Sequence, residues 1–343
     1  MKRIDAFVTG GTEFIGRWLL PELTGGGRRV AVLLRDNPDG RHRLAELREW
    51  VEARGGRSDL LHGLAGDLTR DDLGMDPADL ALARTASQVF HLGAAMSFGL
   101  PAEQARQVNV RGSERVAELA ASGSSLDRLV LVSGFQHRRS SKLATSRYHD
   151  SKLTADARVR DIAEATGVPL TRVHPASVTG DSRTGQTSQF WGWPDLVQAL
   201  HRGRLPIVPG VRDHRLPLVA VDHLAKFLAG APELAETAGG QYWLLHDTPP
   251  LADLLRIVAD ELGVATPRLR VPIPLAAMSL QAGLDRWTGI SAEALTFLTA
   301  QDLPVAEARR VESTLGLTQP DVAELARVTA RFLADHGFRP AAS

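Results

Sequence analysis

The chain has 343 residues, enough for about two domains at roughly 150 residues each. Its 43% hydrophobic and 23% charged residues, with 31 Gly and 19 Pro, exclude collagen-like, disordered and coiled-coil chains. Forty basic residues balance forty acidic ones, so no nucleic-acid partner is expected, and zero cysteines remove disulfides, thiolate metal sites and a cysteine nucleophile.

The N-terminus runs from Met1-Lys2-Arg3 into a short apolar stretch and then glycine, without the long apolar core of a signal peptide, so a cytoplasmic protein is expected. Short apolar or β-branched runs predict strands at Ile4 to Thr9, Arg29 to Leu34, Leu60 to Ala65, Gln88 to Leu92, Arg128 to Ser133 and Pro169 to His174. Segments of helical period fall between them at Ile15 to Leu23, Arg41 to Arg54, Ala102 to Ala121 and Tyr148 to Thr166. This alternation predicts an α/β fold, a Rossmann-type doubly wound parallel sheet covered by helices. After Pro175 the texture changes to Gly, Pro, Ser and Thr, and helical stretches dominate from Leu251 to Leu333. Residues 1–180 are therefore expected to form a nucleotide-binding domain and 181–343 a smaller, mostly helical C-terminal lobe that binds substrate. Strand-like pieces at Leu216 to Val221 and Gln241 to Leu245 are expected to return to the first sheet. No uncharged apolar run approaches the roughly 18 residues of a membrane span, and Leu275 to Leu284 reads as an amphipathic helix.

Thr9-Gly10-Gly11-Thr12-Glu13-Phe14-Ile15-Gly16 follows the first strand and opens a helix. Backbone N–H groups at such a helix start point at an anion, and glycine lets a pyrophosphate approach where a Cβ would collide; a purely structural turn is the alternative. The second strand ends in Arg35, whose guanidinium can fork onto a 2′-phosphate and so favours NADP(H), while Asp36 keeps NAD(H) open. The turn resembles the TGGTGFIG turn of extended short-chain dehydrogenases/reductases, with Glu13 in place of the middle glycine. A carboxylate there opposes a pyrophosphate, so Glu13 is expected to face solvent, to pair with an arginine, or to mark altered cofactor binding.

Further segments are similar to that family in order and spacing over roughly Met1 to Thr184: Gly66-Asp67-Leu68, His91-Leu92-Gly93-Ala94-Ala95 and Gln107-Val108-Asn109-Val110-Arg111-Gly112. The resemblance implies that Gly10, Gly11, Thr12, Phe14, Ile15 and Gly16 hold the dinucleotide, that Asp67 and Leu68 meet its adenine, that Gly93 and Ala94 flank its ribose, and that Asn109 braces the site. Pro175 and Val178 complete the implied cofactor contacts. Asp72-Leu73-Gly74 and Gly180-Asp181-Ser182-Arg183-Thr184-Gly185 look like the fatty-acyl and thioester reductase-like branch, which implies reduction of an acyl thioester, aldehyde or ketone.

Tyr148-His149-Asp150-Ser151-Lys152 is the family's YxxxK. On a helix this spacing puts phenol and ammonium one turn apart on one face, so the ammonium can lower the phenol's pKa and also grip the nicotinamide ribose. Tyr148 is the expected proton donor. Ser133 is the candidate third catalytic residue, although Gly134 stands where the family more often has the hydroxyl; Ser140, Ser141, Thr145 or Tyr148 alone are the alternatives. The basic residues Arg138, Arg139, Lys142 and Arg147 suit the phosphates of coenzyme A, an acidic carrier protein, a phosphorylated substrate or plain solvent. Phe190, Trp191 and Trp193 suit a substrate lid or lobe packing equally. The histidines lack metal-binding spacing and there is no GxSxG elbow, so neither a metal site nor a serine hydrolase is expected. An NADP(H)-dependent carbonyl reductase is the leading expectation. An epimerase or dehydratase with a retained cofactor, or a dinucleotide sensor without turnover, are the other two; a homo-oligomer is left open.

Overall fold

A computed structural model of the chain describes residues 3–35, 38–97, 99–135 and 147–339. It divides into two compact units: one from the residues before 136, 147–174 and 225–242, the other from 175–224 and 243–339.

In the first unit, strands and helices alternate: β1 (Ala6–Thr9), α1 (Phe14–Gly25), β2 (Val30–Leu34), α2 (Pro38–Ala53), β3 (Leu61–Ala65), α3 (Pro77–Ala83) and β4 (Gln88–His91). Then come α4 (Ala102–Gln104), a π-wound turn at Ala105–Arg111, α5 (Gly112–Ser122), β5 (Arg128–Val132), α6 (Arg147–Thr166) and β6 (Leu170–Pro175). The six predicted strands and four predicted helical stretches are all present. The helix α3 was not predicted, although its start is written locally: Asp76 accepts from the N–H groups of Ala78 and Asp79, with Pro77 at the first helical position.

The strands form one seven-stranded sheet, which with β10 (Gln241–Leu244) has the order β10-β6-β5-β4-β1-β2-β3. Strand order reverses between β1 and β4, which pair in parallel from Ala6↔Gln88 to Thr9↔His91. Helices leave the two strands on opposite faces, so a crevice opens beyond their carboxyl ends, where doubly wound sheets bind ligands. The inner strands β2, VAVLL, and β5, RLVLV, are fully buried and largely apolar, as expected where helices cover both faces, whereas edge strand β3, LHGLA, is exposed at three of its five residues. Pro21 sits inside α1 and cannot donate to the carbonyl of Arg17; the indole N–H of Trp50 in α2 takes that carbonyl at 2.8 Å.

The second unit contains β7 (Ser177–Thr179), α7 (Trp193–His201), β8 (Ile207–Pro209), β9 (Leu218–Ala220), the start of α8 (Val221–Gly230), α9 (Leu251–Leu262), β11 (Leu269–Val271), α10 (Ile273–Ser279), α11 (Asp285–Thr288), α12 (Ala306–Thr314) and α13 (Val322–Asp335). Trp193, at 2% exposure, lies in its core with Phe190 packed against it, so lobe packing accounts for both. One expectation is corrected here. Of the two late strand-like pieces, 241–244 joins the central sheet beside β6, but 218–220 does not; it pairs with β7 in a separate two-stranded sheet. β10 already fills the edge beyond β6, Pro217 lacks an N–H, and the N–H groups of Leu218 and Ala220 are taken by side chains, Thr248 Oγ1 at 3.2 Å and His246 Nε2 at 2.9 Å. The predicted amphipathic helix is α10 continued by π winding over Leu280–Leu284, with Ala276, Ala277 and Leu280 buried and Leu275 and Met278 exposed. Among the described residues, no helix is long and apolar enough to cross a membrane.

Candidate active site

The glycine turn is shaped by close approach. Gly10 has φ +74°, and a Cβ on it would lie 2.6 Å from the backbone nitrogen of Gly93, across the point where β1 and β4 diverge. A Cβ on Gly16 would lie 2.2 Å from the carbonyl oxygen of Gly10, which fixes the packing of α1 against the turn. Glu13 is the N-cap of α1, with φ −83° and ψ 170°, an extended conformation that any residue adopts. Its exposed side chain makes no cap bond, its one short contact being Thr12 Oγ1 at 3.5 Å, so the first amides of α1 are left to an outside acceptor. That donor set suits a pyrophosphate.

At the far end of the crevice, Asp67 accepts from the backbone N–H and hydroxyl of Thr69 at 2.8 and 2.7 Å. Partial burial pushes its carboxyl up, but these bonds and the nearby Arg35 and Arg70 outweigh it and hold the carboxyl below its ordinary value. Asp72 and Leu73, non-glycine residues with φ 49° and 54°, turn the chain so that the carbonyl of Leu73 accepts from Asp67 N–H at 2.6 Å. Leu68 packs over Gly93, where a Cβ would lie 2.8 Å from its Cδ1.

A directed hydrogen-bond chain runs from Thr9, at the end of β1, to α6. Ser113 Oγ donates to the carbonyl of Asn109 at 2.6 Å, so toward His91 Nε2, 2.8 Å away, it is the acceptor. His91 therefore carries its proton on Nε2 and accepts at Nδ1 from Thr9 Oγ1 at 2.6 Å. Burial, assisted by the charge of Lys152, pushes His91 down to about 3, so it stays neutral. Asn109 sits in the π-wound turn. Its Oδ1 accepts from Ala95 N–H at 2.7 Å, and its Nδ2 donates to Ala95 O at 3.0 Å and to Ser151 Oγ at 2.9 Å. Ser151 Oγ donates in turn to the carbonyl of Tyr148 at 2.7 Å.

Tyr148 and Lys152 lie one turn apart on α6. Lys152 is 5% exposed and donates from Nζ to the carbonyl of Val132 at 2.7 Å. Burial pushes its ammonium down to about 8, against a raising influence from Asp156. Burial pushes the half-buried Tyr148 phenol up, so at neutral pH it holds its proton; the lowering expected from the ammonium is not among the influences on it. Ser133 is buried and follows β5 directly, next to the Val132 whose carbonyl accepts from Lys152, with its own N–H bonded to Val173 O at 2.8 Å. At Gly134 a Cβ would lie 3.1 Å from Cβ of Lys152, and the carbonyl of Gly134 accepts from His174 Nδ1 at 2.7 Å. Glycine at 134 leaves room for the lysine stem.

The family model described as male sterility protein, an NAD-binding family, matches residues 8–144 and 135–228 of this chain. The chain belongs to that family. It is similar to the NRPS-like oxidoreductase fscA of Fusarium equiseti, 30% identical in a 242-position alignment that covers 64% of this chain and 23% of fscA. It is also similar to the aldehyde reductase lnaA of Aspergillus flavus, 27% identical in a 278-position alignment that covers 72% of this chain and 26% of lnaA. The chain thus spans about a quarter of the length of these curated relatives. In fold it is similar to the terminal R domain from the myxalamid PKS-NRPS pathway, with TM-score 0.79 and 21% identity over 100% of this chain and 94% of that one. The motif resemblance to extended short-chain dehydrogenases/reductases agrees with membership of this NAD-binding family.

Within the first unit of this family member, Gly10, Gly11, Thr12, Phe14, Ile15 and Gly16 form the turn, Gly93 and Ala94 follow β4, and Asn109 is bonded to Ser151 next to Lys152. Arg35 is exposed at the end of β2, and Asp36, Ser140, Ser141, Thr145, Arg138, Arg139 and Lys142 lie outside the described residues. Pro175 and Val178 belong to the second unit, at the end of β6 and in β7. The Gly180 to Gly185 segment is a closed turn in that unit: Asp181 accepts from Thr184 N–H and Oγ1, and Ser182 bonds Asp222 through N–H and Oγ. Residue-type reasoning gave His91, Ser113, Ser151 and Asp156 no role. The four-residue spacing of Tyr148, Lys152 and Asp156 was the one signal that could have found Asp156. Among the described residues, no group of three or more His, Asp or Glu could hold a metal ion.

Proposed function

We propose that this chain is an NADP(H)-dependent oxidoreductase that reduces the carbonyl carbon of an acyl thioester, aldehyde or ketone, with Tyr148 as proton donor. The observation that carries this reading is the buried Lys152 ammonium one helical turn from a protonated Tyr148 phenol, on a helix tied through Ser151 and Asn109 to the strand ends at the switch point. A bound nicotinamide dinucleotide would supply the hydride. The amides that open α1 would hold its pyrophosphate, Arg35 a 2′-phosphate, Asp67 and Leu68 the adenine, and Lys152 the nicotinamide ribose. As the carbonyl carbon accepts hydride, its oxygen takes the displaced electron pair and then the proton of Tyr148. Relatives named as NRPS-like oxidoreductase and aldehyde reductase, and an R domain of a PKS-NRPS pathway, support a substrate carried as a thioester on a carrier protein or coenzyme A.

The test is consumption of NADPH by the purified protein with an acyl thioester or aldehyde, monitored by absorbance. Tyr148→Phe is expected to lower turnover by about 10²- to 10⁴-fold while leaving NADPH affinity intact; equal consumption by the variant would overturn the reading. Arg35→Ala is expected to weaken NADPH binding by roughly 10- to 100-fold, as loss of a charge-assisted hydrogen bond does, with little change for NADH by calorimetry.

A further inference from the structure

A buried ammonium needs opposing charge, or it gives up its proton. Lys152 Nζ donates to the neutral carbonyl of Val132. The titratable groups around it come from three elements: Tyr148 and Asp156 from its own helix, His91 from β4, and Arg172 and His174 from β6. The phenol is protonated, and burial holds both histidines below their ordinary values. Arg172 is itself a cation, bonded through Nη1 to Asp156 Oδ2 at 2.8 Å, with both side chains largely buried at 13% and 14% exposure.

Asp156 is the carboxylate in this set. Residues 148, 152 and 156 fall on one stripe of α6 at four-residue spacing, so its side chain projects one turn beyond the lysine. Its second oxygen, Oδ1, is buried and has no hydrogen-bond partner among the described residues. A buried carboxylate oxygen without a donor is costly on its own, and is stabilised when a cation lies within its field.

We propose that Asp156 is a positioning residue for the reaction: clamped through Oδ2 by Arg172, its carboxylate acts along α6 on the Lys152 ammonium and keeps it charged at working pH. The proposal rests on the reading of Tyr148 and Lys152 given above. It assigns Arg172 the task of fixing the carboxylate, and it explains why an ion pair with an unanswered oxygen sits beneath the lysine. Asp156 is also the group that opposes the fall in the Lys152 pKa.

The test compares wild type with Asp156→Asn, which keeps an oxygen for Arg172 but loses the charge, and with Asp156→Glu, which restores it. The first readout needs no cofactor. Lys152 is lowered in the folded chain from 10.5 to about 8, so the unfolded chain holds more protons between these values and wild-type melting temperature gains a rising contribution with pH across that window. In Asp156→Asn the onset should move down by on the order of one pH unit, and in Asp156→Glu it should move back. The second readout is the alkaline limb of kcat/KM for NADPH-dependent reduction, which should move down by the same amount, with kcat below the limb within a few-fold of wild type. An unmoved onset and limb in Asp156→Asn would overturn the proposal even if the variant melts lower. Should Asp156→Asn fail to fold, Asp156→Glu carries the test: a limb within a tenth of a unit of wild type supports the proposal, and a downward shift like that of a neutral residue overturns it. A shifted melting onset in a protein that never consumes NADPH would sink the catalytic reading and leave the charge pairing standing.

Discussion

Each unit of the chain buries a histidine-centred polar network, and the two are finished differently. In the second unit, Glu312 Oε1 accepts from His223 Nε2 at 2.6 Å and Gln319 Nε2 at 2.5 Å, and Oε2 accepts from Arg309 at 3.2 Å. His246 accepts at Nε2 from Ala220 N–H, so it donates from Nδ1 to Gln319 Oε1. The outer links of this network end on the backbone N–H of Ala220 and, through Arg309, on the exposed carboxylate of Asp247 at 3.0 Å. In the first unit, the chain from Thr9 through His91, Ser113, Asn109 and Ser151 runs on to the backbone of Tyr148, one turn from Lys152. A network that ends on backbone and surface groups contributes stability alone; one that ends at the proposed reactive groups also aims them.

The largest test of this contrast is acid, which should break both networks. His91 and His246 are pushed down to about 3 and His149 to about 4, mainly by burial. Each is neutral in both states above 6.5. Below that the unfolded chain binds protons the folded chain refuses, so stability falls steadily from pH 6.5 toward 4. Asp195, raised by burial to about 6, has the opposite sign between 3.8 and that value and offsets one histidine of the three. Melting temperature measured across this range should drop; a flat profile would contradict neutral buried imidazoles. Next in size is Glu312→Ala, which leaves His223 and Gln319 without this acceptor and Arg309 with Asp247 alone. It should cost about 3–5 kcal/mol in denaturant unfolding, and a loss under about 1 kcal/mol would mean this network is not a source of stability. The smallest is Ser113→Ala, expected to cost about 1–3 kcal/mol by stranding His91 Nε2–H and the Asn109 carbonyl. Its distinguishing mark is a fall in kcat with KM for cofactor little changed, which Glu312→Ala should not share.

The first unit was more legible than the second because strands buried on both faces read as unbroken apolar runs, and the turn residues that follow them are chemically distinctive. VAVLL and RLVLV needed no tertiary information. The three-residue strands Ser177–Thr179, Ile207–Pro209 and Leu269–Val271 are too short to carry a period, and the partner of 218–220 depended on which edge of the large sheet was already filled. At the candidate site, the proposed reactive pair and the glycine turn stand in contiguous motifs. The bonds that aim them join residues 82, 22 and 42 positions apart, so His91 and Ser113 read as ordinary polar residues. The left-handed backbone of Asp72 and Leu73 was equally hidden, since neither residue type announces it.

The π-wound turn at Ala105–Arg111 carries one residue more than regular α winding would need. Ordinary α winding advances about 100° per residue, so deleting one position there would rotate all that follows by nearly a third of a circle relative to what precedes it. Ser113 would swing away from the imidazole while Asn109 still faced α6. One surplus residue thus acts as a phase adjuster, letting a single helix answer to two partners that regular winding could not serve together.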